Sequence, residues 1–144
     1  MTKKNVLIVH GPNLNLLGKR EKNIYGSFTL SQLTSHLKKY SREYEMDINC
    51  FQSNHEGKII DFIQDRLFNY FGLIINPGAL THTSLALRDC LESFEGLIYE
   101  VHISNIYARE FYRRQSYISE VSDGIICGLG IKGYEIALEA MDKK

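Results

Sequence analysis

The chain has 144 residues, 44% hydrophobic and 24% charged, the balance of one ordinary domain over 1–144 that buries about two-thirds of its unfolded surface. Its 17 basic residues match its 17 acidic ones, which gives no support to a nucleic-acid or membrane partner. Cys50, Cys90 and Cys127 show no CxxC spacing, which argues against a disulfide framework or zinc site and suits a reducing, cytoplasmic setting.

The stretch from Met1 to His10 carries an apolar run too short for a signal-peptide core, and no segment approaches bilayer-spanning length. Residues 6–9 are continuously apolar, the pattern of a strand buried on both faces. A long loop is expected from His10 to about Phe28. Thr29, with Gln32 three residues on, makes a capping-box start, and Leu30, Leu33 and Leu37 recur at helical spacing up to about Tyr44. Residues 48–51 predict a second strand and residues 53–57 a turn. Ile59, Ile60, Ile63 and Leu67 predict a second helix. A third strand over 73–75 ends at Asn76-Pro77-Gly78, and a third helix runs from about Ser84 to Ser93. Residues 97–103 and 124–127 predict two more strands, and a last helix holds Tyr134, Ile136, Leu138 and Met141. Strands alternating with helices predict an α/β, doubly wound parallel sheet, most simply five strands in the order 2-1-3-4-5.

In such sheets ligands bind beyond the carboxyl ends of the strands, where the strand order reverses. After strand one come His10, Asn13, Asn15, Arg20 and Tyr25; after strand three, Asn76, Thr81 and His82; at the end of strand four, His102, Ser104 and Asn105. Amides, a guanidinium, a phenol, imidazoles and a hydroxyl are the inventory of a polar active site. Gly18 and Gly26 bracket Arg20 and Tyr25 as hinges bracket a lid. A phenol, with an ordinary pKa of about 10, is a poor base at neutral pH, and a nearby guanidinium favours its phenolate. Glu100 and His102 share one face of a strand, so the carboxylate can fix the imidazole's tautomer and make it a general acid. The early loop has no Ser or Thr after Gly18-Lys19, so it is no phosphate-binding P-loop. The glycines from Gly128 onward lack an acidic partner and a downstream strand for dinucleotide binding. No HxH or HxxxH pair links His10, His55, His82 and His102, so no metal is expected.

Separated motifs appear in order: GPNLNLLGKRE and IYG near the start, QSN with EG at 52–57, NPGALTHTS at 76–84, EVHISNI at 100–106 and ARE at 108–110. They resemble the type II 3-dehydroquinate dehydratases over nearly the whole chain. The resemblance implies a flavodoxin-like fold, no cofactor, and a homododecamer built as a tetramer of trimers. It also implies conversion of 3-dehydroquinate to 3-dehydroshikimate in the shikimate pathway, by anti elimination of water through an enolate. It makes Tyr25 the base that removes the C2 proton, Arg20 the stabiliser of its phenolate, His102 the acid and Asn13 the holder of a water on the enolate oxygen. Asn76, His82, Ile103, Ser104 and Arg113 would line the pocket, and Asp89 would complete a neighbouring subunit's site. His10 stands where the family more often has Asn, and Lys22 where Pro is usual. The alternative is a flavodoxin-like FMN-binding module at the same switch point.

Overall fold

The computed structural model describes residues 3–144; Met1 and Thr2, the start of the stretch weighed as a signal-peptide core, lie outside the described residues. The apolar run at 6–9 is fully buried at the centre of a five-stranded parallel sheet. Its strand, β1 (Lys4–His10), pairs with β2 (Met46–Gln52) on one side and β3 (Gly72–Asn76) on the other. β4 (Leu97–His102) and β5 (Gly124–Cys127) complete the order β2-β1-β3-β4-β5, as predicted.

Alternation along the strands divides the core into two layers. Val6, Ile8, Ile74, Tyr99 and Val101 pack with Leu33 and Leu37 of α2 (Leu30–Ser41) and with Tyr134, Leu138 and Met141 of α5 (Lys132–Asp142). Leu7, Val9, Leu73, Ile75 and Ile98 pack with Ile59 and Ile63 of α3 (Glu56–Gln64) and with Leu87 and Leu91 of α4 (Leu85–Glu92). Each fully buried Leu or Ile contributes roughly 1.5–3 kcal/mol, so both faces of the sheet are firmly clad.

Caps fix where helices begin. The predicted capping box forms at α2: Gln32 N–H donates to Thr29 Oγ1 at 3.1 Å and Thr29 N–H to Gln32 Oε1 at 3.0 Å. Ser84 caps α4 by accepting Leu87 N–H at 2.9 Å. Some bounds differ from the sequence reading. The first long helix stops at Ser41 and tightens into a 3-10 turn, Arg42–Tyr44, that ends at Glu45 in the left-handed region. The expected turn at 53–57 closes early, because Ser53 Oγ accepts His55 N–H at 3.0 Å and releases Glu56 to start α3. The expected loop from His10 to Phe28 contains a 3-10 turn, Leu14–Leu16, and a single helical turn, α1 (Lys22–Tyr25).

Candidate active site

The carboxyl ends of β1 and β3 touch backbone to backbone. Gly11 N–H donates to the Asn76 carbonyl at 2.8 Å. A Cβ on Gly11 would lie 2.1 Å from the Pro77 carbonyl oxygen, so only glycine permits this approach. The chain then turns through Asn13 at φ 71°, a left-handed conformation that asparagine tolerates. The end of β2 holds that turn. Asn54 Oδ1 accepts Asn13 N–H at 2.9 Å and Gln52 Nε2 at 3.1 Å, and Gln52 Nε2 also donates to the Gly11 carbonyl at 3.2 Å. Gly18, at φ 83°, lies against the Ser27 and Phe28 carbonyls, so the two ends of the segment carrying Arg20 and Tyr25 meet.

These turns frame a cleft of about 770 Å³, open solvent at its mouth included. Nine of the expected residues line it: Asn13, Arg20, Tyr25, Asn76, His82, His102, Ile103, Ser104 and Arg113. Glu100 lies behind His102 with no exposure. Asp89 is elsewhere, exposed on α4 and paired with Arg88 at 3.1 Å. His10 is buried beneath the cleft and Thr81 is fully buried. Asn105 caps the 3-10 turn Ile106–Ala108 through Tyr107 N–H at 3.1 Å. Asn15 is exposed and outside the lining.

Two guanidinium groups flank Tyr25. Arg20 Cζ lies 5.4 Å from the ring centroid, and its Nη1 bonds Glu21 at 3.0 Å. Arg109 Cζ lies 5.5 Å from the centroid, and its Nη1 donates to the Tyr25 hydroxyl at 2.7 Å. That hydrogen bond ties the Tyr25 hydroxyl to a fixed positive charge. Arg109 Nη1 also reaches Ser104 Oγ at 3.5 Å.

On the cleft floor His102 Nε2 contacts the Glu100 carboxylate, which also accepts Ser116 Oγ at 2.9 Å and Ser119 Oγ at 2.6 Å. Burial pushes the Glu100 carboxyl up, but His102 and the two serines outweigh it and hold it below the usual carboxylate range. The ionised carboxylate therefore accepts a hydrogen bond from His102 Nε2–H, which leaves Nδ1 as the ring nitrogen that exchanges a proton with a ligand. His82 donates Nδ1–H to the Gln115 carbonyl at 2.7 Å. Burial pushes its pKa down, against the pull of that carbonyl and with His102 and Arg113 nearby. Neutral His82 thus offers Nε2 as an acceptor. Arg113 is held by Glu110 Oε2 at 2.5 Å. One cleft therefore joins a cation-held phenol, a carboxylate-held imidazole and a further guanidinium.

The sequence matches the profile of the family described as Dehydroquinase class II over residues 4–142. The chain belongs to this family. It is 51% identical over 138 residues to the 3-dehydroquinate dehydratase of Endomicrobium trichonymphae, covering 96% of each chain. It is 52% identical over 139 residues to that of Thermotoga petrophila, covering 96% of this chain and 95% of the relative. The crystal structure of type II dehydroquinase from Propionibacterium acnes superposes with a TM-score of 0.96 at 38% identity, covering 99% of each chain. These matches give the FMN-module alternative no support.

Of the lining residues of this dehydroquinase cleft that sequence reasoning missed, Arg109 is the one hydrogen-bonded to Tyr25. The ARE motif at 108–110 carried the resemblance without a role. The one signal for it was position, since it follows β4 by seven residues, on the same side of the sheet as the other site loops.

Proposed function

We propose that the chain is a hydro-lyase that dehydrates 3-dehydroquinate to 3-dehydroshikimate, the shikimate-pathway step, within a single catalytic domain over 1–144. The observation that carries the reading is the Arg109–Tyr25 hydrogen bond at 2.7 Å, in a cleft that His102 also lines in a dehydroquinase chain. Tyr25, as phenolate, removes the C2 proton, with Arg20 and Arg109 balancing its charge. The electron pair moves onto the ketone oxygen as an enolate, whose water Asn13 holds. As the enolate collapses, the C1–O bond breaks, and His102 gives its proton to the departing hydroxyl, which leaves as water. Arg113 pairs with the substrate carboxylate, while Asn76, His82, Ile103 and Ser104 position the ring. No step calls on a cofactor or metal.

Asp89 stands outside its own cleft, its side chain 68% exposed, which supports its role in a neighbouring subunit's site. A homododecamer, as a tetramer of trimers, is the assembly that follows from the resemblance. The cytoplasm is the proposed location, in keeping with three free thiols. Among the described residues no helix is long and apolar enough to cross a membrane. The reading is tested by adding 3-dehydroquinate and following the ultraviolet absorbance of a conjugated enone. Enzyme-dependent growth is expected; a flat trace with folded protein would overturn it.

A further inference from the structure

Three buried polar side chains meet under the cleft floor: His10 at the end of β1, Asn76 at the end of β3 and Tyr134 on α5, exposed by 1%, 4% and 0%. His10 and Asn76 are register partners on adjacent strands. The Tyr134 hydroxyl bridges them. It accepts from Asn76 Nδ2 at 3.0 Å and lies 3.3 Å from His10 Nδ1. Of the three, only Asn76 lines the cleft.

A primary amide has one acceptor oxygen and two N–H donors. Asn76 Oδ1 accepts Gly78 N–H at 3.2 Å, and one Nδ2–H goes to Tyr134, so the second Nδ2–H is the donor left for a ligand. The hydroxyl accepts from Asn76, and its other partner among the described residues is His10 Nδ1, so its single proton points there. That requires neutral His10 with its proton on Nε2. Burial pushes the His10 pKa down to about 4 and the Tyr134 pKa up, so the imidazole is neutral and the phenol keeps its proton. Among the described residues His10 Nε2 has no partner, so the imidazole's contribution here is the lone pair at Nδ1. If the amide flipped, its NH₂ would face Gly78 N–H and its oxygen would face a hydroxyl whose proton is committed elsewhere.

We propose that His10 and Tyr134 are positioning residues that lock the Asn76 amide with an N–H turned to the substrate. This rests on the reading of Asn76 as a substrate-binding residue. Its test is a double-mutant cycle on 3-dehydroquinate turnover. Tyr134→Phe and His10→Leu are each expected to lower kcat/KM about fivefold to tenfold, the scale of one buried hydrogen bond, mainly through KM. The double variant should be no worse than the poorer single one, because either change breaks the same relay. His10→Asn should recover most of the loss in His10→Leu, since asparagine Oδ1 stands as many bonds from Cα as histidine Nδ1. Near-wild-type kinetics in Tyr134→Phe, additive losses, or no difference between the two His10 variants would overturn the proposal. A separate readout needs no activity: nitrogen NMR of wild-type protein with labelled histidine should find His10 protonated at Nε2 only. An Nδ1–H tautomer would overturn the relay by itself. An inactive wild type with the Nε2–H tautomer would count against the dehydratase reading while supporting the relay.

Discussion

Acidification is expected to weaken the fold through His10. The imidazole is fully enclosed, and burial lowers its pKa from 6.5 to about 4. Between those values the unfolded chain binds a proton at His10 that the folded chain does not, so stability rises with pH in that window. The contribution is complete above about pH 6.5 and is lost as pH falls toward about 4. At about 1.4 kcal/mol per tenfold in proton affinity, the full loss is roughly 3 kcal/mol, and roughly 2.5 kcal/mol has gone by about pH 4.5. Urea unfolding of wild type and His10→Asn, at about pH 7 and about pH 4.5 and one protein concentration, isolates the effect. Glu100, whose depressed carboxyl also favours the fold above its own lower range, titrates in both proteins and cancels from the difference. The wild type should lose roughly 2.5 kcal/mol more than His10→Asn. Equal losses would refute the assignment of a neutral, proton-excluding site to His10.

Other perturbations follow from the site's framing. Gly11→Ala forces a Cβ to 2.1 Å from the Pro77 carbonyl oxygen, so the loops after β1 and β3 must separate. A loss of about 3 kcal/mol or more in thermal or urea unfolding is expected, at or above the upper scale of overpacking, and an unchanged midpoint would contradict the close approach. Arg109→Leu removes the charged partner of the Tyr25 hydroxyl, and turnover should fall about 10- to 100-fold with the fold intact, as for hydrogen bonds to charged groups. Turnover within twofold of wild type would remove Arg109 from the mechanism. If Asp89 completes a neighbour's site, mixing Asp89→Ala with Tyr25→Phe subunits should restore part of the activity that each lacks. Exchange verified by mass, with no recovery, would mean that each cleft is built within one chain.

The sheet was legible because its signals are local and strong. An unbroken apolar run marked β1, the Thr29–Gln32 pair marked the start of α2, and 124–127 fell on β5 without adjustment. The loop structure was less legible. Residues 22–25 form one helical turn too short for any hydrophobic period to register, and the 3-10 turns Ile106–Ala108, Phe111–Arg113 and Ser119–Val121 carry no such period. Seven of the 17 residues lining the cleft could be listed from positions after strand ends, and Ile103 and Arg113 from the resemblance, but hydrogen-bond partners could not. Arg20 is five residues from Tyr25 and suggested itself as the phenol's cation. The hydrogen bond comes instead from Arg109, 84 residues away, because β1 and β4 deliver their loops to the same end of the sheet. Glu100 and His102 were the opposite case: strand alternation alone put them on one face, and they pair there.

The central claim is that Tyr25, held by a guanidinium, is the base of a dehydration. It is tested most directly by comparing wild type and Tyr25→Phe with 3-dehydroquinate under identical conditions, following enone absorbance and checking the fold of each by circular dichroism. The substitution removes one hydroxyl and leaves the ring between Arg20 and Arg109. Turnover should fall about 100-fold or more, the scale of a lost general base, with the spectrum unchanged. Near-normal turnover in folded Tyr25→Phe would contradict the account.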